Sequence, residues 1–310
     1  MDKNRVAITI RGFNTRGAAM DLLRHHFDIT YANTSGQRLE ERQLIDALQN
    51  ADAAIAGTEE FSESVIEACP GLWAISRVGV GTDSIDKDAA RRHNIRIFNT
   101  PDAPVQAVAE HTLALILSLL KHIPEYNQNA RQGIHAVRPA TLLSGKIAGV
   151  IGMGRIGFRV AEILDAIGCR IIFYDPFLER NVPAEWERMD AIEDVLGTAD
   201  IITLHAAPVP NQAPLLDAKT LKRCKNDAII INTARGSFID EDALVSALKE
   251  GWIAGAGLDV AQHEPLDGPL LDFPQVIVTP HVASNAREAR EQMEMEAVMN
   301  LVEWQKEGTI

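Results

Sequence analysis

A chain of 310 residues with 46% hydrophobic and 24% charged residues has an ordinary globular composition and is long enough for two domains with separate cores. The formal net charge of -13 leaves no basic excess for binding nucleic acid, so a site for a small anion must be a local cluster of positive groups. The cysteines, Cys69, Cys169 and Cys224, lack the short paired spacing of a zinc site or a disulfide framework. We therefore expect buried thiols in a reducing compartment and no bound metal.

The sequence contains no run of roughly 20 apolar residues, the length that a membrane-spanning helix needs. The richest apolar stretch, from Thr112 to Leu120, is short and ends at Lys121. The first residues lack the apolar core and small-residue cleavage site of a secretory signal. We therefore expect a cytoplasmic protein with no membrane partner.

The first part of the chain alternates short apolar runs with helical patterns. Strands are predicted at residues 6–10, 53–56, 73–76 and 95–98, and helices at residues 18–25 and 39–49. This βαβ rhythm is typical of a parallel sheet covered by helices. A long apolar helix, predicted at residues 107–121 after Pro101 and Pro104, offers a passage to a second domain.

The same rhythm restarts in the second part of the chain. Strands are predicted at residues 147–151, 171–174, 201–204, 228–231, 254–258 and 276–278, and a last helix at residues 285–307. A second parallel sheet is therefore expected, and the fold class is α/β.

A glycine-rich turn follows the first strand of this second set. It contains Gly152, Gly154, Arg155, Ile156 and Gly157, and a helical pattern begins directly after it. In such a turn the first glycine permits a tight bend, the second lets the backbone approach a pyrophosphate, and the third allows close packing of helix on strand. The N–H groups at the start of the helix then face the phosphates. This context favours a dinucleotide site over a purely structural turn.

Asp175 ends the next predicted strand, at the distance where an acidic residue accepts hydrogen bonds from the adenosine ribose. A carboxylate there repels the additional phosphate of NADP, and the next basic residue, Arg180, lies beyond a predicted turn. We therefore expect NAD as the cofactor. The alternatives are a surface turn at Asp175 and Pro176, or a flavin, whose fingerprint usually opens a chain.

Three ionisable residues follow later strands, where open α/β sheets gather their active-site loops. They are Arg235 in Asn-Thr-Ala-Arg-Gly, Glu264 before Pro265, and His281 in Thr-Pro-His. Taken singly, each has an ordinary structural explanation: a surface ion pair, a solvated carboxylate, or a histidine beside a turn. Together with a nucleotide motif they supply the groups that oxidation of a hydroxy acid demands.

These features occur in one order: the glycine motif, Asp175, Asn-Thr-Ala-Arg-Gly, Leu-Asp-Val followed by Glu-Pro, and Thr-Pro-His. From Ser76 to Ser284 the chain resembles the D-isomer-specific 2-hydroxyacid dehydrogenases, especially the phosphoglycerate dehydrogenase branch. The resemblance implies two doubly wound parallel-sheet domains, with a Rossmann-type NAD-binding domain (residues 100–283) inserted in a flavodoxin-like substrate-binding domain (residues 1–99 and 284–310). It also implies a homodimer built largely on the nucleotide domain, with the helix after Pro104 at its interface.

The chemistry of the three residues fits this resemblance. Reduction of a 2-keto acid needs a hydride and a proton donor, and the reverse reaction needs a base. His281 is the candidate for both proton roles, and Glu264 would stabilise its imidazolium form. Arg235 offers paired donors for the substrate carboxylate. His263 adjoins Glu264, but the family pattern places the general acid after Thr-Pro and so selects His281.

The resemblance implies further contacts. Arg77, Val78, Gly79 and Val80 correspond to the family's substrate loop, in which backbone N–H groups hold the carboxylate. Asp259 corresponds to a contact with the nicotinamide carboxamide. Further cofactor contacts are implied at Thr233, Ala234, Ser284, Arg235 and His281.

The substrate is left open between 3-phosphoglycerate with its keto acid and a hydroxypyruvate or glyoxylate reductase activity. Arg77 stands where phosphoglycerate dehydrogenases carry a phosphate-contacting arginine. Ile134 and His135 stand where many relatives have a tryptophan, and Ala206 and Ala207 depart from the family's Leu-His-x-Pro pattern. A non-catalytic NAD-sensing corepressor is a rival hypothesis, against which the complete catalytic set argues. A formate dehydrogenase is another, which the glutamate at 264 disfavours.

Overall fold

The computed structural model describes residues 3–178, 180–209 and 212–306. The chain divides into two compact units: Met1–Pro104 with Asn285–Ile310, and Val105–Ser284. The sequence prediction places these boundaries after residues 99 and 283. Each unit has its own parallel β-sheet, as the predicted α/β fold class requires.

The sheet of the first unit has the order β2-β1-β3-β4-β5, with all pairings parallel. This is the flavodoxin-like order of a doubly wound sheet. Its strands are β1 (Arg5–Ile8), β2 (Asp28–Ala32), β3 (Ala53–Ala56), β4 (Ala74–Arg77) and β5 (Arg96–Phe98). β2 was not predicted, because this edge strand lacks a continuous apolar run and none of its residues is fully buried.

Helices cover both faces of this sheet. Those within the first segment are α1 (Ala18–His26), α2 (Glu41–Leu48), α3 (Glu63–Ala68) and α4 (Lys87–Arg92). Alternate side chains of β1 point to opposite faces, so Val6 and Ile8 belong to one hydrophobic core and Ala7 to the other.

The sheet of the second unit has the order β12-β11-β10-β9-β6-β7-β8, again parallel throughout. This is a Rossmann order extended by one strand, and the order reverses between β6 and β9. The strands are β6 (Ile147–Ile151), β7 (Arg170–Tyr174), β8 (Glu187–Arg188), β9 (Ile201–Leu204), β10 (Ile229–Asn232), β11 (Gly255–Leu258) and β12 (Val276–Val278). The short, exposed β8 was not predicted.

Helices pack on both faces of this sheet, in two hydrophobic cores. They are α5 (Val105–Leu120), α7 (Arg155–Ala166), α8 (Ile192–Thr198), α9 (Ala218–Leu221) and α10 (Glu241–Lys249). A further helix, α6 (Ile123–Arg131), contacts α5 and has no buried residue. Short 3₁₀ helices lie at Gly236–Phe238 and Pro269–Asp272.

The last helix, α11 (Arg287–Lys306), returns to the first unit. Ser76 Oγ donates a hydrogen bond to the carbonyl of Ala297 at 2.8 Å, and Met293 and Leu301 lie in the core beside β1. Residue 307 of the predicted helix lies outside the described residues. No helix within the described ranges is long and apolar enough to cross a membrane.

Candidate functional site

The glycine-rich turn directly follows β6, at the point where the strand order reverses. Gly152 has φ +92°, and a Cβ there would lie 2.4 Å from the backbone nitrogen of Ala206. A Cβ at Gly157 would lie 2.0 Å from the carbonyl oxygen of Gly152. Because both neighbours are backbone atoms, neither position accepts a side chain without displacing the fold.

Gly154 differs from these two glycines. It is exposed, stands at the N-cap of α7, and a Cβ added to it would meet no atom within 4 Å. The first turn of a helix leaves N–H groups without intrahelical acceptors, and glycine has no side chain to accept from them. The beginning of α7, with Arg155 and Ile156, therefore has the geometry of an anion site with open access to the backbone.

Asp175 lies directly after β7 and is already fixed by the protein. Its Oδ2 accepts a hydrogen bond from the Met153 N–H at 2.8 Å, and its Oδ1 accepts one from the Phe177 N–H at 2.8 Å. A carboxylate oxygen has more than one acceptor site, so both oxygens retain capacity for ribose hydroxyl groups. The glycine turn and the acidic strand end thus form one connected structure.

Two arginines contact the backbone of this region. Arg180 Nη1 is 3.4 Å from the carbonyl oxygen of Gly154, and its guanidinium lies 4.6 Å from the centre of the Phe158 ring. Arg188 donates to the backbone carbonyl of Asp175 at 2.8 Å. The sequence prediction treated Arg180 as separated by a turn, but the chain folds it back onto the glycine motif.

His205 lies against the same turn, 3.2 Å from the position of a Cβ on Gly157. Its Nε2 is 2.8 Å from Thr203 Oγ1, and burial lowers the pKa of His205 to about 3. The ring is therefore neutral near pH 7 and adds no positive charge to the nucleotide site.

Arg235 is held by the residues on either side of it. Buried Asn232, the last residue of β10, accepts from the Ala234 N–H at 3.0 Å and donates to the Arg235 carbonyl at 2.8 Å. A Cβ on Gly236 would lie 2.0 Å from the backbone of Ala261, so glycine is required there. The Asn-Thr-Ala-Arg-Gly motif thus encodes a fixed loop with Arg235 at its centre.

Glu264 and His281 lie together, as predicted. His281 Nδ1 is 2.9 Å from Glu264 Oε2, and each side chain is 42% exposed. His281 has φ +53°, a left-handed conformation that costs a non-glycine residue roughly 1–2 kcal/mol. The turn that carries His281 must therefore be held in place by other contacts.

Asp259 supplies those contacts. It is 1% exposed, and its carboxylate accepts hydrogen bonds from Thr279 Oγ1 at 2.6 Å, Val282 N–H at 2.9 Å and Ala283 N–H at 2.9 Å. Its carbonyl accepts from the His281 N–H at 2.8 Å. The predicted nicotinamide contact of Asp259 stays a prediction, because these bonds all lie within the protein. Half-buried Ser284 follows the turn.

The predicted substrate loop belongs to the first unit and follows β4. The Val78 N–H donates to the Ala56 carbonyl at 2.8 Å, and the Gly79 N–H donates to Thr100 Oγ1 at 2.7 Å. Two N–H groups that we assigned to a substrate carboxylate are therefore already engaged. The neighbouring Val80 is 37% exposed.

Arg77 folds back over this loop. Its Nη1 donates to the Val78 carbonyl at 2.9 Å, and a Cβ on Gly79 would lie 1.2 Å from the same nitrogen. Gly79 has φ +134°, a conformation that favours glycine, whereas the close atoms belong to the flexible end of the Arg77 side chain, which can move aside.

Sequence reasoning missed contributions to the site that are distant along the chain. His111, His205 and Thr279 were not assigned a role from the sequence. Thr279 stands beside Pro280 in the Thr-Pro-His motif, which was the available signal. Within residues 3–178, 180–209 and 212–306, no group of three His, Cys, Asp or Glu side chains is arranged to hold a metal ion.

Residues 113–283 match the profile of the D-isomer specific 2-hydroxyacid dehydrogenase, NAD binding domain. The chain belongs to this family. The match covers most of the second unit, so this 2-hydroxyacid dehydrogenase family member carries the family's NAD-binding domain around the glycine turn. The family resemblance read from the sequence is thereby confirmed.

Relatives of this family member have two kinds of names. A D-3-phosphoglycerate dehydrogenase of Synechocystis sp. is 38% identical over 81% of this chain and 46% of its own length. A glyoxylate reductase of Aeropyrum pernix is 36% identical over 97% of this chain and 93% of its own. The chain thus spans about half the length of the phosphoglycerate dehydrogenase and nearly all of the glyoxylate reductase.

A solved structure from Sinorhizobium meliloti, an NADPH-dependent glyoxylate/hydroxypyruvate reductase in complex with NADP and malonate, is similar in fold. It is 27% identical, covers 98% of this chain and 94% of its own, and superposes with a TM-score of 0.86.

The glycines of the turn allow a matched pair of substitutions. Gly154→Ala places a methyl group in open space, so we expect the free energy of unfolding to change by about 1 kcal/mol or less. NADH affinity should fall about tenfold or more, because the methyl group blocks approach to the backbone. Gly157→Ala should instead destabilise the fold by about 1–3 kcal/mol. Denaturant unfolding and NADH fluorescence titration measure the two effects; Gly154→Ala binding NADH like the parent would contradict the assignment.

Proposed function

We propose that this protein is an NAD-dependent oxidoreductase that interconverts a D-2-hydroxy acid and its 2-keto acid. The pairing of His281 Nδ1 with Glu264 at 2.9 Å carries the proposal. A carboxylate at Nδ1 fixes the tautomer and stabilises imidazolium, and leaves Nε2 as the nitrogen that exchanges a proton with substrate.

Each residue has a defined part in the reduction. NADH, when bound, supplies the hydride that reaches the carbonyl carbon. His281 donates its Nε2 proton to the carbonyl oxygen, and Glu264 stabilises the imidazolium before that transfer. Arg235 binds the substrate carboxylate with paired N–H donors. In the oxidation, neutral His281 takes the hydroxyl proton.

The proton role of His281 is testable by substitution. His281→Ala should lower kcat by about 100- to 10,000-fold and leave NADH binding nearly intact. His281→Asn is the matched control, because asparagine tolerates the left-handed conformation and removes only the imidazole; it should lose turnover to the same degree. Glu264→Gln should lower kcat less than His281→Ala does, because the amide oxygen can still accept a hydrogen bond from Nδ1 although the charge is lost.

Stopped-flow or steady-state NADH oxidation measures these effects. Turnover of His281→Asn at the rate of the parent would remove His281 from the mechanism. Parental kcat in Glu264→Gln would remove the pairing from it.

We propose NAD rather than NADP as the cofactor, supported by Asp175. In this proposal its fixed carboxylate lies beside the adenosine ribose, where an additional phosphate would meet a negative charge. The positive charges of Arg180 and Arg188 weaken this repulsion. They do not remove it, because each guanidinium already donates to a backbone carbonyl, of Gly154 and of Asp175 respectively. We expect kcat/KM to be at least about tenfold higher with NADH than with NADPH, and Asp175→Ser to narrow the ratio. Equal efficiency of the parent with both cofactors would contradict this.

The two units take different parts in the proposal. In the proposal, residues 100–283 form the dinucleotide-binding domain, and residues 1–99 with 284–310 form the substrate-binding domain. Support for the second assignment is the glycine loop after β4, whose backbone is held by Ala56 and Thr100 and so presents a preformed surface at Val80.

We infer 3-phosphohydroxypyruvate, with 3-phosphoglycerate, as the first substrate pair to test. Arg77 beside the substrate loop supports it, as does the similarity to phosphoglycerate dehydrogenases. The second candidate is a hydroxypyruvate or glyoxylate reductase. The bond of Arg77 to the Val78 carbonyl favours it, because a guanidinium that supports its own loop has fewer donors for a phosphate.

Substrate comparison separates the two candidates. If Arg77 contacts phosphate, Arg77→Ala should raise KM for 3-phosphohydroxypyruvate about 10- to 100-fold more than KM for hydroxypyruvate, because a charge-assisted contact of roughly 1.5–3 kcal/mol is lost. Arg91→Ala, which removes an exposed charge paired only with Asp88 in the described contacts, is the control. Equal increases in KM for both substrates would show that Arg77 only supports its loop. The unphosphorylated acid would then be the better substrate candidate.

We propose a homodimer built on the second unit. Residues 131–142 are all exposed, and Ile134, Val137 and Leu142 are apolar residues with 49%, 79% and 70% of their surface accessible. An exposed segment with several apolar side chains is typical of a surface that a partner covers. Sedimentation should give about twice the 33.9 kDa mass of the chain, and a monomer at micromolar concentration would contradict it.

We also propose a cytoplasmic location. It is supported by three buried cysteines that form no disulfide, Cys69, Cys169 and Cys224.

A further inference from the structure

The turn that carries His281 is connected to a helix far away in sequence. Thr279 Oγ1 is 2.6 Å from Asp259 Oδ1 and 3.0 Å from His111 Nε2, on α5. His111 Nε2 is also 3.5 Å from Asp259 Oδ1. His111, Thr279 and Asp259 thus form a continuous chain of polar contacts that ends at the left-handed turn.

The direction of these bonds follows from the number of protons. Thr279 Oγ1 carries one hydrogen, and an ionised carboxylate at 2.6 Å accepts it. Thr279 Oγ1 must then accept from His111, so His111 Nε2 carries a proton and donates it. Each hydrogen bond in this series polarises the next one, and the series ends at the negative charge of Asp259.

Asp259 accepts hydrogen bonds from residues on both sides of His281, whose backbone conformation is strained. It accepts from Thr279, two positions before His281, and from Val282 and Ala283, which follow it. A left-handed histidine persists only where surrounding contacts determine its conformation. The orientation of the His281 ring toward Glu264 therefore depends on the polar chain beneath it.

The neighbouring residue on α5 makes a parallel contact. Thr112 Oγ1 is 3.0 Å from Thr233 Oγ1, in the loop that carries Arg235, and donates to the Val108 carbonyl. The helix itself is anchored in the core by Leu115 and Ile116. Consecutive residues of one rigid helix thus contact the loops of two proposed catalytic residues.

We propose that His111 is a positioning residue, whose Nε2–H fixes the His281 turn through Thr279 and Asp259. This rests on the proposed function of His281. His111 donates a hydrogen bond to Thr279 and takes no part in proton transfer to the substrate.

The test compares His111→Leu, which removes the donor, with His111→Gln, whose amide N–H retains one. We expect His111→Leu to lower kcat about tenfold or more, with KM for NADH within about twofold, because a misplaced imidazole affects the chemical step more than cofactor binding. His111→Gln should recover most of the loss. Glu110→Gln, at the adjacent exposed position, should turn over like the parent.

A second measurement does not depend on activity. Amide hydrogen exchange at Val282 and Ala283 reports the bonds to Asp259 directly. Exchange there should accelerate in His111→Leu and in Thr279→Val, and remain near the parent rate in His111→Gln. If the parent reduced no 2-keto acid, this measurement would still decide the positioning role separately from the proposed function.

Three outcomes would overturn the proposal. They are parental kcat in His111→Leu, equal losses in His111→Leu and His111→Gln, and exchange at Val282 and Ala283 that is the same in all variants. Equal losses of kcat in the two variants would show that the His111 ring acts through packing and not through its hydrogen bond to Thr279.

Discussion

The arrangement of the candidate catalytic residues depends on the buried carboxylate of Asp259. It takes one hydroxyl and two backbone donors, and its own carbonyl accepts from His281, so one residue at the end of β11 defines a turn that follows β12. A buried charge is tolerated only when hydrogen bonds replace water. Here the donors that satisfy the charge are those of the turn, so the desolvation requirement of Asp259 and the geometry of His281 are met by the same bonds.

A residue with two roles also occurs at the proposed nucleotide site of the second unit. Asp175 takes the Met153 N–H, so the carboxylate proposed to bind ribose also shapes the glycine turn. The glycines are required for different reasons: neighbouring backbone atoms exclude a Cβ at Gly152 and Gly157, whereas a Cβ on Gly154 would meet no atom within 4 Å. A glycine that the fold does not require, at a helix N-terminus, indicates a position kept open for a ligand.

Sequence reasoning predicted those parts whose signal is local. Continuous apolar runs such as Ile147–Ile151 predicted central strands, and turn glycines beside them predicted the nucleotide site. The edge strand Asp28–Ala32 lacks that signal, and the return of Arg287–Lys306 to the first unit has no local signal at all. His111 and Thr279 are 168 residues apart, so only the folded chain reveals their bond. For the same reason, the engagement of the Gly79 N–H by Thr100 was not foreseen.

The placement of His111 and Thr112 side by side on α5 bears on thermal motion. Because one helix contacts both the loop of Arg235 and the turn of His281, a displacement of α5 reaches both segments together. The two proposed catalytic groups thus share one rigid support instead of two independent ones.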